Sequence, residues 1–278
     1  MCGRYVSTKS TSDLLSEFDA VEAADAGSFE PDYNVAPTKS VRTVVNRVPH
    51  KSVVATPEGA QPEAPPEATQ PEEAEPVADG AQAVSVRQLR IARWGLVPSW
   101  AKDLSAGNRM FNARAESVPD KAPFKRAFAK RRCLIPADGW YEWLRDTDTS
   151  GKPRKQPFFI TPQDGRSVAL AGLYEFWRPA GAPEGTELLL SVTVLTVAAQ
   201  GELAGIHERM PLVLARQDWT RWLDPAVAAP TDLLEPRDEA AQEALELRPV
   251  SDKVNSVQNN SADLLERVQP SPPALELF

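Results

Sequence analysis

The stretch Arg131-Arg-Cys-Leu-Ile-Pro-Ala-Asp-Gly-Trp-Tyr-Glu-Trp143 indicates the fold class. It contains two short runs, 133–136 and 140–143, that are rich in aromatic or branched aliphatic side chains and are bounded by Pro, Asp or Gly, a pattern typical of β-strands. Strand follows strand along the chain without a regular βαβ alternation. We therefore predict an α+β fold, a single domain whose mixed or antiparallel sheet curls toward a barrel. Five further segments have the same strand character: 90–96, 157–160, Val168–Trp177, 188–197 and 211–214.

A few helices are expected to flank this sheet. The last of them contains Trp219, Trp222 and Leu223, which share one face at the spacing of an α-helix. The three predicted helices are Thr11–Phe18, 123–131 and 217–223.

A proline-rich acidic segment interrupts the chain. Residues 52–86 carry seven acidic side chains and no Lys or Arg, and no aromatic residue occurs within 55–83. Such a composition buries too little apolar surface to offset its ordering entropy, so we predict a disordered insertion in a domain that spans 1–260, followed by an irregular tail, 261–278. The net charge of the chain is −8, nearly all of it in this insertion. The rest of the chain is almost neutral, which permits a local basic site.

The N-terminus has no basic and apolar leader, and no run approaches the roughly 18 apolar residues of a membrane-spanning helix. We expect a cytoplasmic protein, a monomer without a membrane segment. Cys2 and Cys133 have no metal-ligand spacing, and the chain has only two histidines, so we expect no metal site and no cofactor. Cys133 is expected to be a buried strand residue, and His50 is assigned no role.

Cys2 is the first candidate for chemistry. Because Gly3 follows it and Met1 is readily removed before a small residue, Cys2 can become the N-terminal residue and carry a free 1,2-aminothiol. Both the amine and the thiol are then partly in their reactive forms near neutral pH. An aldehyde can condense with the amine, and the thiol can close a thiazolidine ring. The alternative is an incidental cysteine in a frayed terminus.

Glu142 and His207 are candidates for proton transfer. Strand alternation sets Trp140 and Glu142 on one face, and Tyr141 and Trp143 on the other. If that face lines a pocket, burial raises the pKa of Glu142 toward the range useful for acid and base catalysis. The alternatives are a solvated edge-strand glutamate for Glu142 and a structural role for His207, which precedes the apolar run 211–214.

Two asparagine-containing segments complete the set. Asn34 and Asn112 could orient the N-terminus through their side-chain amides, and Arg114 could hold a phosphate. For Asn34, which precedes Val-Ala-Pro, a turn is the ordinary explanation.

The chain resembles the SOS-response-associated peptidase family, whose members process abasic sites. Seven segments, taken in order, carry the resemblance, which covers nearly the whole chain except the proline-rich insertion and the extreme tail. They are MCGRY (1–5), YNVAPT (33–38), RWGLVPSW (93–100), FNARAES (111–117), RRCLIPADGWYEW (131–143), IHERMPLVL (206–214) and VSDKVNS (250–256).

The resemblance implies a protein that binds single-stranded DNA containing an abasic site and captures the sugar aldehyde through Cys2 as a thiazolidine cross-link, so that the lesion is protected. It also implies a self-processing peptidase activity that exposes Cys2, and association with nucleoid DNA. Replication-associated protein partners stay unknown. The implied catalytic residues are Cys2, Asn112, Glu142 and His207, and the implied DNA contacts are Arg4, Arg114 and Arg209 on the backbone and Trp94 as a base-stacking aromatic.

Two other functions stay open at this point. In the first, Cys2 and His207 form a thiol hydrolase that acts on a peptide or other acyl substrate and not on DNA. In the second, the protein is a single-strand binding module without catalysis, for which the thiol of Cys2 is dispensable.

Overall fold

A computed structural model of the chain describes residues 2–24, 30–47, 85–147, 151–183, 185–236 and 244–269. Short 3-10 turns connect several elements, among them Leu104–Arg109, Gly201–Gly205, Asp252–Asn255 and Ala262–Leu265. In chain order the strands and α-helices are β1 (Tyr5–Ser7), α1 (Thr11–Phe18), β2 (Val21–Glu22), β3 (Asp32–Val35), β4 (Ser40–Arg47), β5 (Val86–Trp94), β6 (Asn112–Arg114), α2 (Ala122–Lys130), β7 (Arg132–Ala137), β8 (Gly139–Thr147), β9 (Pro153–Pro162), β10 (Val168–Trp177), β11 (Leu189–Ala198), β12 (Arg209–Pro211), α3 (Trp219–Leu223) and β13 (Leu245–Pro249).

Five strands close into a barrel in the order β5-β4-β7-β10-β11. Neighbours along this path are antiparallel, and a parallel pairing of Ser191 with Arg93 and of Val192 with Trp94 closes the ring. All residues of β7 are buried because β7 lies between β4 and β10 in this ring. The mixed, barrel-like α+β fold predicted from the sequence is therefore confirmed.

A second sheet, in the order β13-β9-β8-β1-β3, carries the N-terminus. β1 lies between β3 and β8, so the first residues of the chain belong to the interior of a sheet and are not a frayed end. One face of β8 packs on the main core through Trp140, and the other face packs on a smaller cluster through Tyr141. The predicted alternation of side chains along this strand is confirmed.

The helices pack against the barrel. α1 begins after Ser10, whose hydroxyl accepts a hydrogen bond from the Asp13 backbone N–H at 3.1 Å, the usual arrangement of a helix N-cap. Its last residue, Phe18, stacks on Trp219 with ring centroids 4.5 Å apart. Trp219, Trp222 and Leu223 are all buried on the shared face predicted for α3.

Several predicted boundaries change in the structure. In the segment 211–214, predicted as a strand, the ladder ends at Pro211, because Leu212 divides its backbone bonds between two strands: its N–H donates to Leu195 and its carbonyl accepts from Ala171. The predicted insertion ends before Val86, where β5 begins, and its residues 52–84 lie outside the described residues.

The predicted irregular tail also starts too early. Within it, Leu264 is fully buried in the smaller cluster, and Arg267 forms a β-bridge with Val250. Contacts therefore continue to Val268, whose backbone N–H donates to the Pro249 carbonyl at 2.9 Å, while 270–278 lie outside the described residues.

Candidate active site

The insertion of β1 between two strands determines where Cys2 lies. Tyr5 is registered with Trp140, and the Tyr141 backbone N–H donates to the Arg4 carbonyl at 2.9 Å, which extends the pairing with β8 toward the N-terminus. Cys2 itself is fully buried. The N-terminal segment thus runs along β8 beside Glu142, and the reading of Cys2 as part of a frayed terminus is wrong.

Asn112 holds the backbone of Cys2. Its side-chain amide donates to the Cys2 carbonyl at 2.6 Å. Asn112 is the first residue of β6, which runs parallel to β11 with Asn112 opposite Val194. The Oδ1 atom of Asn112 is buried and has no hydrogen-bond partner among the described residues, which leaves an acceptor beside the cysteine.

Glu142 is a buried carboxyl group next to this cysteine. Only 3% of the residue is exposed, and burial raises its pKa to about 7. Burial, and to a lesser extent the negative charge of Glu142, raises the pKa of the Cys2 thiol well above its ordinary range. Such an effect requires the two groups to be close. The expected rise in the pKa of Glu142 is confirmed, and the solvated-glutamate alternative is wrong.

His207 lies at the rim of the same region. It precedes β12, whose Arg209 pairs with Ala198 of β11, the strand that also carries β6. The Arg209 backbone N–H donates to His207 Nδ1 at 2.9 Å, so the neutral ring carries its proton on Nε2. The side chain is half-buried, and burial lowers its pKa. His207 is therefore neutral near pH 7, with an Nε2–H donor.

The three arginines predicted to contact DNA differ in their surroundings. Arg114 is exposed. Arg209 is only 11% exposed in its side chain and forms two hydrogen bonds with the carboxylate of Glu116, at 3.0 and 2.9 Å. Arg4 Nη1 is held by neutral acceptors, the Asn34 side-chain oxygen at 2.6 Å and the Val254 carbonyl at 2.9 Å. Arg209 is thus bound directly by a carboxylate, whereas Arg4 Nη1 is held by neutral acceptors. Asp32 acts on Arg4, and Glu116 on Arg114, through their charges.

The structure contradicts the role predicted for Trp94. Trp94 is fully buried, its indole N–H donates to the Phe111 carbonyl, and its ring packs against Tyr5 at 5.2 Å, so no face is open to a base. Sequence reasoning missed Trp100, in the same RWGLVPSW segment, which is 70% exposed. The exposure of Trp100 depends on tertiary packing. In the sequence, only its position after the turn-forming residues Pro98 and Ser99 indicates that it lies at the surface.

The turn that ordinarily explains an asparagine at position 34 is not observed. Asn34 lies in β3, not in a turn, and is fully buried. The idea that its amide orients the N-terminal segment finds support in its contact with Arg4.

Within the described ranges, no group of three or more His, Cys, Asp or Glu side chains is arranged to hold a metal ion. In the same part of the chain, none of the helices is long and apolar enough to cross a membrane.

Solved structures share this fold. A protein from Bordetella bronchiseptica superposes with a TM-score of 0.59 at 22% identity, over 90% of this chain and 100% of that one. A phage-related protein from the same organism gives a TM-score of 0.57 at 23% identity, over 90% and 94%.

Relatives identified by sequence have a higher identity to this chain than these two structures have. The chain is 34% identical over 271 residues to the abasic site processing protein YoaM of Bacillus subtilis (strain 168), over 96% of this chain and 98% of the relative. It is 32% identical over 206 residues to the abasic site processing protein HMCES of Xenopus tropicalis, over 66% of this chain and 58% of the relative. The profile of the family described as SOS response associated peptidase (SRAP) matches residues 1–257. This chain therefore belongs to the SOS response associated peptidase (SRAP) family.

Proposed function

We propose that this protein processes abasic sites in single-stranded DNA by forming a covalent thiazolidine cross-link between Cys2 and the ring-opened sugar aldehyde. The observation that carries the proposal is a fully buried Cys2 whose carbonyl is held by Asn112 at 2.6 Å beside the buried carboxyl group of Glu142. The names of the relatives, which are called abasic site processing proteins, support the choice of substrate.

The proposed reaction begins after removal of Met1, which lies outside the described residues. The α-amine of Cys2 attacks the aldehyde carbon, and the resulting carbinolamine loses water to give an imine. The Cys2 sulfur then adds to the imine carbon while its proton passes to the nitrogen, which closes the five-membered ring. The balanced outcome is one thiazolidine and one water for each aldehyde and aminothiol.

Glu142 supplies the proton transfers that these steps need. With a pKa of about 7 it is close to half protonated at neutral pH, so it can protonate the departing hydroxyl and take up the proton of the attacking amine. The Nε2–H group of neutral His207 can donate to the sugar oxygen. The buried Oδ1 atom of Asn112 can accept from the amine of Cys2.

The directions of the pKa shifts favour aldehyde capture over a thiol hydrolase. A cysteine hydrolase uses a thiolate stabilised by a nearby imidazolium, which requires a low cysteine pKa. In this protein burial raises the pKa of Cys2 and lowers the pKa of His207, so the neutral thiol and neutral imidazole are favoured. Addition to an imine, with the thiol proton passed on, is compatible with this state.

We propose that the single strand approaches along the exposed Arg114 and along Arg4, whose Nη1 is held by neutral acceptors, whereas Arg209 is bound by Glu116. Trp100 replaces Trp94 as the base-stacking aromatic because it is exposed. Single-strand binding commonly combines backbone cations with aromatic platforms of this kind.

The decisive experiment mixes the purified protein with a single-stranded oligonucleotide that carries one abasic site. The products are analysed on a denaturing gel and by intact mass spectrometry, beside Cys2→Ala and an oligonucleotide without the lesion. We expect a heat-stable adduct that lacks Met1 and one water, and none with either control. A correctly processed wild-type protein without any adduct would refute the proposal, and labelling by an acyl electrophile would then favour the thiol hydrolase. The single-strand binding module would be favoured if the wild type forms no adduct and Cys2→Ala binds the lesion as well as the wild type does.

Self-processing is tested in the same preparations. If Glu142 or Cys2 takes part in exposing the amine, the intact mass of Glu142→Gln or Cys2→Ala will retain Met1 while the wild type loses it. Complete loss of Met1 from both variants would assign the processing to an external aminopeptidase and would leave the cross-linking proposal standing.

A further inference from the structure

Two segments that carry the family resemblance have no part in the proposed reaction, namely 33–38 and 250–256. The structure brings them together around Arg4. Asn34, in the first segment, is fully buried, and the second segment curves over it within a short turn that begins at Asp252. Arg4, where the two segments meet, follows Cys2 by two residues in the sequence.

The Asn34 side chain uses both ends of its amide. Its Oδ1 atom accepts from Arg4 Nη1 at 2.6 Å. Its Nδ2 atom donates to the carbonyls of Ser256 and Asn259, each at 2.9 Å, and lies 3.3 Å from the carbonyl of Val254. Because Asp can only accept and an apolar side chain can do neither, this position requires an amide.

Asn34 thereby adds a third anchor to the N-terminal segment. The Cys2 carbonyl is held by Asn112, and the Arg4 carbonyl is held by the backbone N–H of Tyr141, the residue before Glu142. These two contacts fix the main chain on either side of Gly3. The contact with Asn34 fixes the Arg4 side chain, which points its charge in one direction relative to that main chain.

The type of acceptor that holds Arg4 decides whether its charge remains available to attract a phosphate. Asn34 Oδ1 and the Val254 carbonyl are neutral, so they orient the guanidinium without balancing its charge. Asp32, the carboxylate of β3, is bound by Lys39 at 2.6 Å and reaches Arg4 through its charge, which opposes the fall in the pKa of Arg4 that burial causes. Arg209 shows the contrasting case, in which the carboxylate of Glu116 occupies the guanidinium.

We propose that Asn34 is a positioning residue, which together with the segment 254–259 orients the Arg4 guanidinium toward the phosphate beside the lesion and so aligns the strand with Cys2. The proposal rests on the proposed function, since it names how the same site holds its strand. Asn34 itself touches neither the DNA nor the reacting atoms.

Asn34→Asp changes the charge beside Arg4 and also removes the donors to the carbonyls of Ser256 and Asn259; the salt dependence of binding reports the change in charge. A carboxylate at this position still accepts from Arg4 but balances its charge. We expect about tenfold weaker binding of an abasic single strand, and a salt dependence, log K against log salt, that is shallower by about 0.7, the loss of one phosphate contact. Asn46→Asp, on β4 and outside the two segments that meet around Arg4, adds the same charge and serves as the matched control. Equal affinity and equal slope in Asn34→Asp and Asn46→Asp would overturn the proposal.

Asn259→Ala gives a test that does not disturb the core. Asn259 is exposed, and its side chain donates to the Lys253 carbonyl at 2.7 Å, which closes the turn whose carbonyls accept from Asn34 and Arg4. We expect weaker binding and slower cross-linking at subsaturating DNA, with an unchanged melting temperature to within a few degrees. This variant keeps the proposal testable if substitutions at Asn34 do not fold.

A double-mutant cycle with Arg4→Ala shows whether Asn34 acts through Arg4. If it does, Asn34→Asp and Asn259→Ala add almost nothing to the loss of affinity in the Arg4→Ala background, because interacting sites are not additive. Additive losses would overturn the proposal and indicate a purely structural role. A wild-type protein that forms no adduct would refute the proposed function, whereas a wild type that cross-links normally with additive variants would refute only the role of Asn34.

Discussion

Replacing Glu142 by Gln tests the burial of the carboxyl group that the proposed chemistry needs. Its pKa rises from an ordinary value of 4.5 to about 7 in the folded protein because the group is buried. Below pH 4.5 the carboxyl is neutral in both the folded and the unfolded chain. As the pH rises from 4.5 to 7, the unfolded chain releases this proton and the folded chain retains it, so the free energy of unfolding of the wild type falls, and it levels off above about pH 7.

The size of the effect follows from this pKa difference. At about 1.4 kcal/mol for each tenfold change, the wild type loses about 3 kcal/mol relative to a variant that does not titrate. Gln keeps the shape of Glu and does not ionise. Gln therefore mimics the protonated acid. We expect the melting temperature of Glu142→Gln to exceed that of the wild type by about 5 to 10 °C at pH 8.5, with little gain at pH 4.

The assay is thermal or urea unfolding of both proteins at intervals between pH 4 and 8.5. Glu187→Gln, at an exposed loop position, is the matched control and should follow the wild type throughout. A stability difference between Glu142→Gln and the wild type that stays constant over this range would refute the reasoning, because it would mean that the carboxylate is equally well solvated in both states. The same variant should slow cross-link formation, since Gln transfers no proton.

Four further predictions follow from buried and exposed side chains. Arg132→Met should lower the free energy of unfolding in urea by about 3 to 5 kcal/mol, because the buried guanidinium donates to five backbone carbonyls that would lose their donor; a loss below about 1 kcal/mol would contradict this account. Gly172→Ala should cost about 1 to 3 kcal/mol in the same assay, since a Cβ there would lie 2.8 Å from the sulfur of Cys133, and a stability equal to that of the wild type would show that the contact relaxes freely. Cys133→Ala should still form the adduct on a denaturing gel, and loss of the adduct from a folded variant would contradict the assignment of Cys2 as the reacting thiol. Trp100→Ala should weaken single-strand binding in a fluorescence titration by about 1 to 3 kcal/mol, whereas unchanged affinity would exclude base stacking on this ring.

The local pattern of the sequence predicted several strands but not β4 or β13, and it left the burial of Glu142 conditional on a pocket at that face. Alternation along β8 predicts which side chains face the main core, because successive residues of a strand point to opposite faces wherever the strand pairs. It does not predict exposure at the ends of elements. Trp94 and Trp100 lie six residues apart in one segment, yet the first is fully buried and the second is 70% exposed.

What the sequence by itself determined was therefore the strand-rich class and the family, while the catalytic roles of Cys2, Asn112, Glu142 and His207 stay predictions. Only the tertiary structure decided which of the polar residues meet. The contact from Asn112 to Cys2 joins residues 110 positions apart, and the contact from Arg4 to the Val254 carbonyl spans 250 positions. Such meetings depend on the register of strands in the closed barrel and on the insertion of β1 between β3 and β8. Local periodicity cannot encode these choices, because the same alternation is compatible with many strand orders, and only the packing of the whole core selects one.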